Sequence, residues 1–433
     1  MKRWFKDQHF KSLLKNSGYL AASKGIAAVA GLATLAFAGR SLGLLLFGTL
    51  VLITSYVKAA SGLSKFQSWQ LIVRYGGQAL TTGEAEEFKT STGFAFALDV
   101  VSGFGGMVIA ILLLPLIGQW VGITNEYLLA AMLYCTLLPT MGAATPIGVL
   151  RSLDRFDLIS WQGTSYPIAR AIMAGIAWGM NAPFEAFLAI WFVTDLGGDI
   201  FLWFLAWREL KRRRLLSGIR PTLRPTTLPG AWRFAIHVNL TASLITAWGP
   251  IARLVIGGLV GPAGAAIYRV AASLADSAQK PADLLARAYY PEVVRMDIAT
   301  KKPWKLMIRG MALATSMGVL SVLILVVGGR ALVDVIFGAE FLPAYPILLV
   351  LMIAPLLGMV SFPLPSMLYT LDRPDAPLTA RLIGTILYFA IVAPLAWRFG
   401  VIGAAVAFVL GYAVMVAVMA IQLTGEYRRV RGS

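Results

Sequence analysis

Charge is what this sequence has least of. Only 14% of its 433 residues are Asp, Glu, Lys or Arg, against about 25% in an ordinary globular domain. Leu, Ala, Val, Ile and Gly stand where that charge would be, which excludes an ordinary soluble chain. Cysteine is nearly absent as well: Cys135 stands alone, so neither an internal disulfide nor a thiol-based metal cluster can form. The two histidines, His9 and His237, lie far apart and cannot build a His-rich metal site by themselves. The chain also lacks a nucleotide-binding loop, which argues against ATP hydrolysis. No short apolar stretch with a small-residue cleavage site follows the basic segment Met1–Lys6, so no cleaved signal peptide is expected. No metal or cofactor is expected; an H+ or Na+ gradient or the membrane potential would supply any driving force.

What is abundant is apolar surface, at 58% of residues, with 42 glycines suited to close helix packing and 21 prolines suited to kinks. Apolar runs of roughly 18 or more residues recur along the whole length, which is the signal of bilayer-spanning helices. The runs fall near 17–38, 48–73, 92–116, 127–150, 161–180 and 184–207, then near 234–257, 265–290, 306–328, 345–369, 379–398 and 402–424. This predicts an all-α, polytopic transmembrane bundle of about twelve spans.

The net charge of +17 does not point to nucleic acid, because the basic residues gather in the short segments between apolar runs. One alternating set of segments holds about 25 Lys and Arg, and the other about three, Arg40, Arg330 and Arg398. The excess of positive charge on one side places both termini in the cytoplasm. The richest segment begins Arg208-Glu-Leu-Lys-Arg-Arg-Arg214 at mid-chain. It reads as a basic linker, residues 208–233, between lobes at 1–207 and 234–433. It either lies along anionic lipid headgroups or binds a partner protein.

The two halves repeat. Leu153-Asp-Arg-Phe-Asp157 follows the fourth run and Leu371-Asp-Arg-Pro-Asp375 follows the tenth, an offset of 218 residues (371 − 153). The same offset carries Gly39 onto Gly257 and Gly43 onto Gly261. Six spans per repeat give the halves the same orientation, related by a pseudo-two-fold axis along the membrane normal. An alternating-access transporter is the expectation; duplication retained for packing is the bland alternative.

Charges within the apolar runs are the candidate site. Arg269, Ser273, Asp276, Lys280, Asp283 and Arg287 follow at steps of four or three and form one stripe of a helix. Each charge at a bilayer centre costs about 2.5–3.5 kcal/mol, so the stripe cannot face lipid. Pro281 is expected to kink this helix. The second run carries Lys58 and Lys65, which the repeat offset maps onto Asp276 and Asp283. These residues either gate a cavity by pairing across the lobes, or the two carboxylates neutralise Lys280 and Arg287 one turn away. Lys24, Arg170 and Arg253 are further membrane-depth cations suited to an anionic headgroup, unless they pair with Asp99, Asp195 and Asp199. Asp195 and Asp199, one turn apart, either couple transport to protons or sodium or hold a cation-bearing neighbour.

Three segments carry a family resemblance: Gly39–Gly48 (GRSLGLLLFG), Gly257–Tyr268 (GGLVGPAGAAIY) and Val335–Tyr345 (VIFGAEFLPAY). With the span pattern, they make the chain resemble the polysaccharide transporter family of the multidrug/oligosaccharidyl-lipid/polysaccharide exporter superfamily. Twelve spans fit this group better than the fourteen typical of related peptidoglycan-precursor flippases. The resemblance implies two lobes around a central cavity in a bacterial inner membrane. It also implies outward movement of undecaprenyl-diphosphate-linked oligosaccharide for O-antigen and lipopolysaccharide, capsule or exopolysaccharide. Membrane lipids and the polysaccharide polymerase machinery are the implied partners. No family motif assigns the cavity cations one by one, so Lys24, Lys58, Lys65, Arg253, Arg269 and Lys280 rest on position and charge. The competing readings are an ion-coupled multidrug or small-molecule exporter, and a membrane polymerase or glycosyltransferase. The latter usually carries a sizeable extramembrane loop, which this chain lacks.

Overall fold

A computed structural model of the chain describes the backbone at residues 8–246, 248–294, 296, 300–373 and 375–432. Side chains are described from residue 23 onward, except at 78, 81–82, 240–242, 244–247, 281–284, 287–288, 290–291, 295, 297–299, 374 and 430–433. Among the described residues every regular element is helical. Helix is the one regular structure besides a closed barrel that satisfies all backbone polar groups in lipid, so long apolar runs settle into it.

The chain begins with α1 (Gln8–Ser64), then α2 (Ser68–Leu71), a π-turn (Ile72–Gly76) and α3 (Gly77–Thr82). After α4 (Ala85–Ile117), the fourth span comes in two pieces, α5 (Leu128–Cys135) and α6 (Ala144–Ser152). The next helices are α7 (Phe156–Gly179) and α8 (Phe184–Arg212). The second half runs through α9 (Ala231–Thr246), α10 (Trp248–Val260), α11 (Pro262–Val294) and α12 (Lys301–Phe337). Its tenth span has three pieces, α13 (Ala344–Leu351), α14 (Ile353–Ser361) and α15 (Pro363–Thr370), before the closing α16 (Asp375–Gly432).

Six of these stretches are long and apolar enough to cross a membrane, and two of them, Ser23–Gly76 and Asp375–Arg429, are long enough to do so twice. Each is interrupted by a non-helical glycine, Gly43 (φ 66°) in α1 and Gly400 (φ 61°) in α16. Divided there, with α5–α6, α9–α10 and α13–α15 each taken as one span and the short α2 and α3 set aside, the described helices make twelve segments. The outer face of α12 shows why a bilayer is required. Leu313, Leu320, Leu323, Ile324 and Val327 are all more than half exposed, a patch no water-soluble surface would carry.

The repeat is visible in the backbone. Gly43 and Gly261, 218 positions apart, both take positive φ (66° and 93°) at the turn after the first span of their halves, a conformation glycine adopts without steric cost. Asp154 and Asp372, related by the same offset, stand one residue past the caps of the fourth and tenth spans at φ 57° and 58°. Asp tolerates this region better than most residues. α11 continues through Pro281 as one helix.

The chain divides into two compact units. The first comprises residues up to 42, 53–119 and 123–251; the second comprises 43–52, 120–122 and 252–433. The basic segment after α8 packs into the first unit, where Leu228, Ala231 and Ala235 bury against Leu71, Phe94 and Leu98. The first unit's core gathers Ile72, Phe88, Val149, Leu150 and Leu205. The second unit's core gathers Val293, Met367, Leu368 and Leu423. Val149 and Met367, Leu150 and Leu368, and Leu205 and Leu423 are repeat partners, so the two cores use equivalent positions.

Beside each core lies an equivalent ionic clasp. In the first unit, Arg155 grips Asp157 with two donors at 2.9 and 2.7 Å and also binds Glu209 at the end of α8. In the second unit, Arg373 binds Asp375 at 3.3 Å twice and also binds Glu426 near the end of α16. The Arg155 hydrogen bonds hold the Asp157 carboxyl below its ordinary value, and Arg373 does the same to Asp375.

Candidate functional site

The site begins with a broken helix. Between α5 and α6 the chain passes through turns at 136–141, then Gly142 (φ 80°) and Ala143 (φ 30°). A break at membrane depth leaves backbone groups without intrahelical partners, and these must be satisfied from elsewhere. Lys65 supplies one side. Its buried ammonium donates to the carbonyls of Pro139 at 3.0 Å and Met141 at 2.6 Å. Asp99 supplies the other. Its carboxylate accepts from the Thr145 backbone N–H at 2.9 Å, the Thr145 hydroxyl at 2.7 Å and the Ser68 hydroxyl at 2.7 Å. Such discontinuous helices surround the binding sites of many transporters.

The break opens onto two cavities of the first unit. The larger holds about 550 Å³ and is lined by Lys24, Lys58, Arg151, Arg170, Asp195 and Asp199 among others. The smaller holds about 390 Å³ and is lined by Lys58, Lys65, Gln67, Trp69 and Arg151, among others. Met141 and Gly142, from the break itself, line both.

Within the larger cavity, Arg170 and Asp195 form an ion pair in which both side chains are largely buried. Arg170 also donates to the Thr194 hydroxyl at 2.7 Å, and Asp195 accepts from Tyr134 at 2.6 Å. Asp195 is thereby committed to protein partners. Asp199, one turn on, is in no ion pair among the described residues. Gln162 bridges α7 to α8 through the Gly198 carbonyl at 2.9 Å.

In the second unit, Arg253 is buried and lies within electrostatic range of Arg269 and Asp276. Asp276 in turn senses Arg269, Arg253 and Lys280. Asp276 therefore has cations around it inside its own unit. The side chains of Asp283 and Arg287 lie outside the described residues.

The structure thus brings Lys24, Lys58, Asp195 and Asp199 to one cavity, Lys58 and Lys65 to its neighbour, and Arg253, Arg269, Asp276 and Lys280 to a separate cluster. Sequence reasoning missed Arg151, Tyr134 and Gln162 as site residues. Arg151 was hidden because its position just after an apolar run made it look like one more basic loop residue. It sits instead in the last turn of α6.

Comparison with known proteins agrees with this architecture. Residues 13–296 match the model of a family described as polysaccharide biosynthesis protein. The chain is 37% identical over 350 residues to inner membrane protein YghQ of Escherichia coli (strain K12), a match covering 80% of this chain and 99% of that one. Its fold is similar to an inward-facing multidrug resistance MATE family transporter of the MOP superfamily, with TM-score 0.70, 14% identity and coverage of 95% and 96%. It is also similar to the lipid II flippase MurJ in an inward closed conformation, with TM-score 0.67, 13% identity and coverage of 94% and 87%. A multi-pass helical membrane fold, a cation-lined cavity and a family match over most of its length lead to one assignment: the chain belongs to the polysaccharide biosynthesis protein family.

Proposed function

We propose that this protein is an alternating-access flippase that carries undecaprenyl-diphosphate-linked oligosaccharide from the cytoplasmic to the periplasmic leaflet of a bacterial inner membrane. The product would feed surface polysaccharide synthesis: O-antigen, capsule or exopolysaccharide. The observation that carries this reading is the cation-lined polar cavity in a membrane-embedded unit of a polysaccharide biosynthesis family member. Four cations (Lys24, Lys58, Arg151 and Arg170) line the larger cavity against two carboxylates, one of them already held by Arg170. That balance suits an anionic headgroup and disfavours a cationic drug, which is the competing exporter reading.

The ligand's shape sets the mechanism. Its polyprenyl tail stays in lipid while sugar and diphosphate cross through polar space, and fixed cations lower the cost of desolvating the diphosphate. A membrane potential, negative inside, assists outward movement by about 2.3 kcal/mol per charge per 100 mV. Net transport requires that inward-open and outward-open states bind the headgroup differently. The repeats at 1–207 and 234–433, joined by the basic linker 208–233, act as the two moving lobes, with both termini in the cytoplasm. Lys24, Lys58, Lys65, Arg253, Arg269 and Lys280 guide the headgroup. Asp276 and Asp283 belong to the gate, and Asp199 couples the cycle to H+ or Na+ beside Asp195, which Arg170 and Tyr134 hold in place. The polysaccharide polymerase is the downstream partner.

The test is flipping of labelled undecaprenyl-diphosphate oligosaccharide in proteoliposomes by wild type, Lys58→Ala and Arg269→Ala. Flipping by wild type that is lost in both variants, with folding intact, supports the reading. Absence of flipping for several such lipids, with and without an ion gradient, removes it.

A further inference from the structure

Arg151 is the least explained charge in the first unit. Its Nε is buried without a hydrogen-bond partner, and no carboxylate lies within ion-pair distance of it among the described residues. Arg151 is only half-buried, but a guanidinium nitrogen that is buried without a partner or a nearby counter-charge calls for an explanation. Its position is nonetheless well defined. α6 packs closely on α2 at Gly148, where an added Cβ would lie 2.9 Å from the Trp69 Cα. One turn later the Arg151 guanidinium rests 4.0 Å from the centre of the Trp69 ring. The indole is itself fixed by its N–H bond to Gln67 at 3.0 Å. Cation–π stacking orients a guanidinium while using none of its donors, so the N–H groups remain free for a ligand.

The two cavities differ in a way that assigns that ligand. Their shared wall includes Lys58 and Arg151. Beyond this wall the larger cavity carries Asp195 and Asp199, together with Gln162 and Tyr166. Among the described residues the smaller cavity has no carboxylate in its lining, and it adds Lys65. Carboxylate, amide and phenol groups are the usual hydrogen-bond partners of sugar hydroxyls, and the larger cavity supplies all three. A planar guanidinium fork matches phosphate oxygens.

Building on the flippase reading, we propose that Arg151, held in place by Trp69, binds the diphosphate at the wall common to the two cavities, with the attached sugar directed into the larger cavity. Trp69 is then a positioning residue. Gln162, whose amide nitrogen also bridges to the Gly198 carbonyl, contacts the sugar and not the diphosphate.

The full-length protein in nanodiscs tests this with three probes: undecaprenyl phosphate, undecaprenyl diphosphate, and undecaprenyl diphosphate carrying one N-acetylglucosamine. Arg151→Gln is expected to weaken both diphosphate probes by at least about tenfold, the scale of one charge-assisted hydrogen bond. It should also erase the preference over the monophosphate. Trp69→Leu should reproduce that loss of headgroup selectivity, while Trp69→Phe keeps most of it. Gln162→Ala should weaken only the glycosylated probe. Thermal melting checks each variant for folding, and Arg151→Lys, which keeps the charge but not the fork, stands in if Arg151→Gln fails to fold. If wild type prefers diphosphate and the folded Arg151 variant keeps that preference within twofold, the inference is overturned while the flippase reading stands. If wild type binds none of the three lipids, the flippase reading itself falls, and the inference with it.

Discussion

Lys65 Nζ donates to the carbonyl oxygen of Met141 at 2.6 Å, inside the break between α5 and α6. A cation that sequence alone offers as a substrate ligand is therefore also what satisfies the exposed backbone of an interrupted span. Lys65→Met should lower stability by about 1–3 kcal/mol for each carbonyl left without a donor, read as a fall in melting temperature in nanodiscs. A Lys65→Met protein that melts like wild type but no longer flips lipid would assign Lys65 to the substrate alone.

Arg170 and Asp195 give the second prediction. Removing one partner of a largely buried pair leaves an uncompensated charge, at a cost of about 3–5 kcal/mol, whereas removing both is far milder. Arg170→Leu should therefore destabilise strongly, and Arg170→Leu/Asp195→Leu should recover much of the loss. An additive double variant would mean that the two side chains act independently of each other.

The repeated clasps are expected to be unequal. Glu209 is 5% exposed and meets Arg155, Arg212 and Arg213, whereas Glu426 is 15% exposed and its partners Arg373 and Arg429 are 37% and 76% exposed. Glu209→Ala should cost about 3 kcal/mol, the lower end for breaking a buried pair, and Glu426→Ala clearly less because solvent screens that clasp. Equal melting shifts for the two variants would contradict this ordering.

Asp157 supplies a pH dependence. Arg155 holds its carboxyl below the ordinary value of 3.8, so the folded state binds the proton less readily than the unfolded chain does. That contribution is fully present above the unfolded value and is lost as pH falls through the folded one. Melting temperature followed downward from pH 6 should drop more steeply below about pH 4 in wild type than in Asp157→Asn. Parallel curves would remove Asp157 from the acid response.

The elements most legible in the sequence were those set by solvent. Lipid demands long apolar helices and water demands charged turns, so the runs near 92–116 and 184–207 appear within α4 and α8. The Leu-Asp-Arg-x-Asp turn also announced itself, because it recurs at a fixed offset and its Asp154 and Asp372 must adopt the same left-handed conformation. The broken fourth span did not. Leu137 and Leu138 are as apolar inside the break as they would be in a continuous helix, and both are fully buried. Pro139 and Gly142 were the available signals, and neither is decisive within a membrane, where helices often tolerate both. Arg151 was hidden for a related reason. Charge position along the chain separates loops from spans, but it does not show that the end of α6 folds back over Trp69 to bring a guanidinium to a cavity wall.

Whether the protein moves an anionic glycolipid or a cationic small molecule is decided by a head-to-head transport measurement. Wild-type protein would be reconstituted in vesicles containing fluorescent undecaprenyl-diphosphate oligosaccharide and loaded with ethidium, under a series of imposed membrane potentials at one pH gradient. The expected result is protein-dependent flipping of the glycolipid that rises with the potential, and no protein-dependent movement of ethidium. Ethidium transport with an immobile glycolipid would contradict it and make the protein an exporter of cationic small molecules.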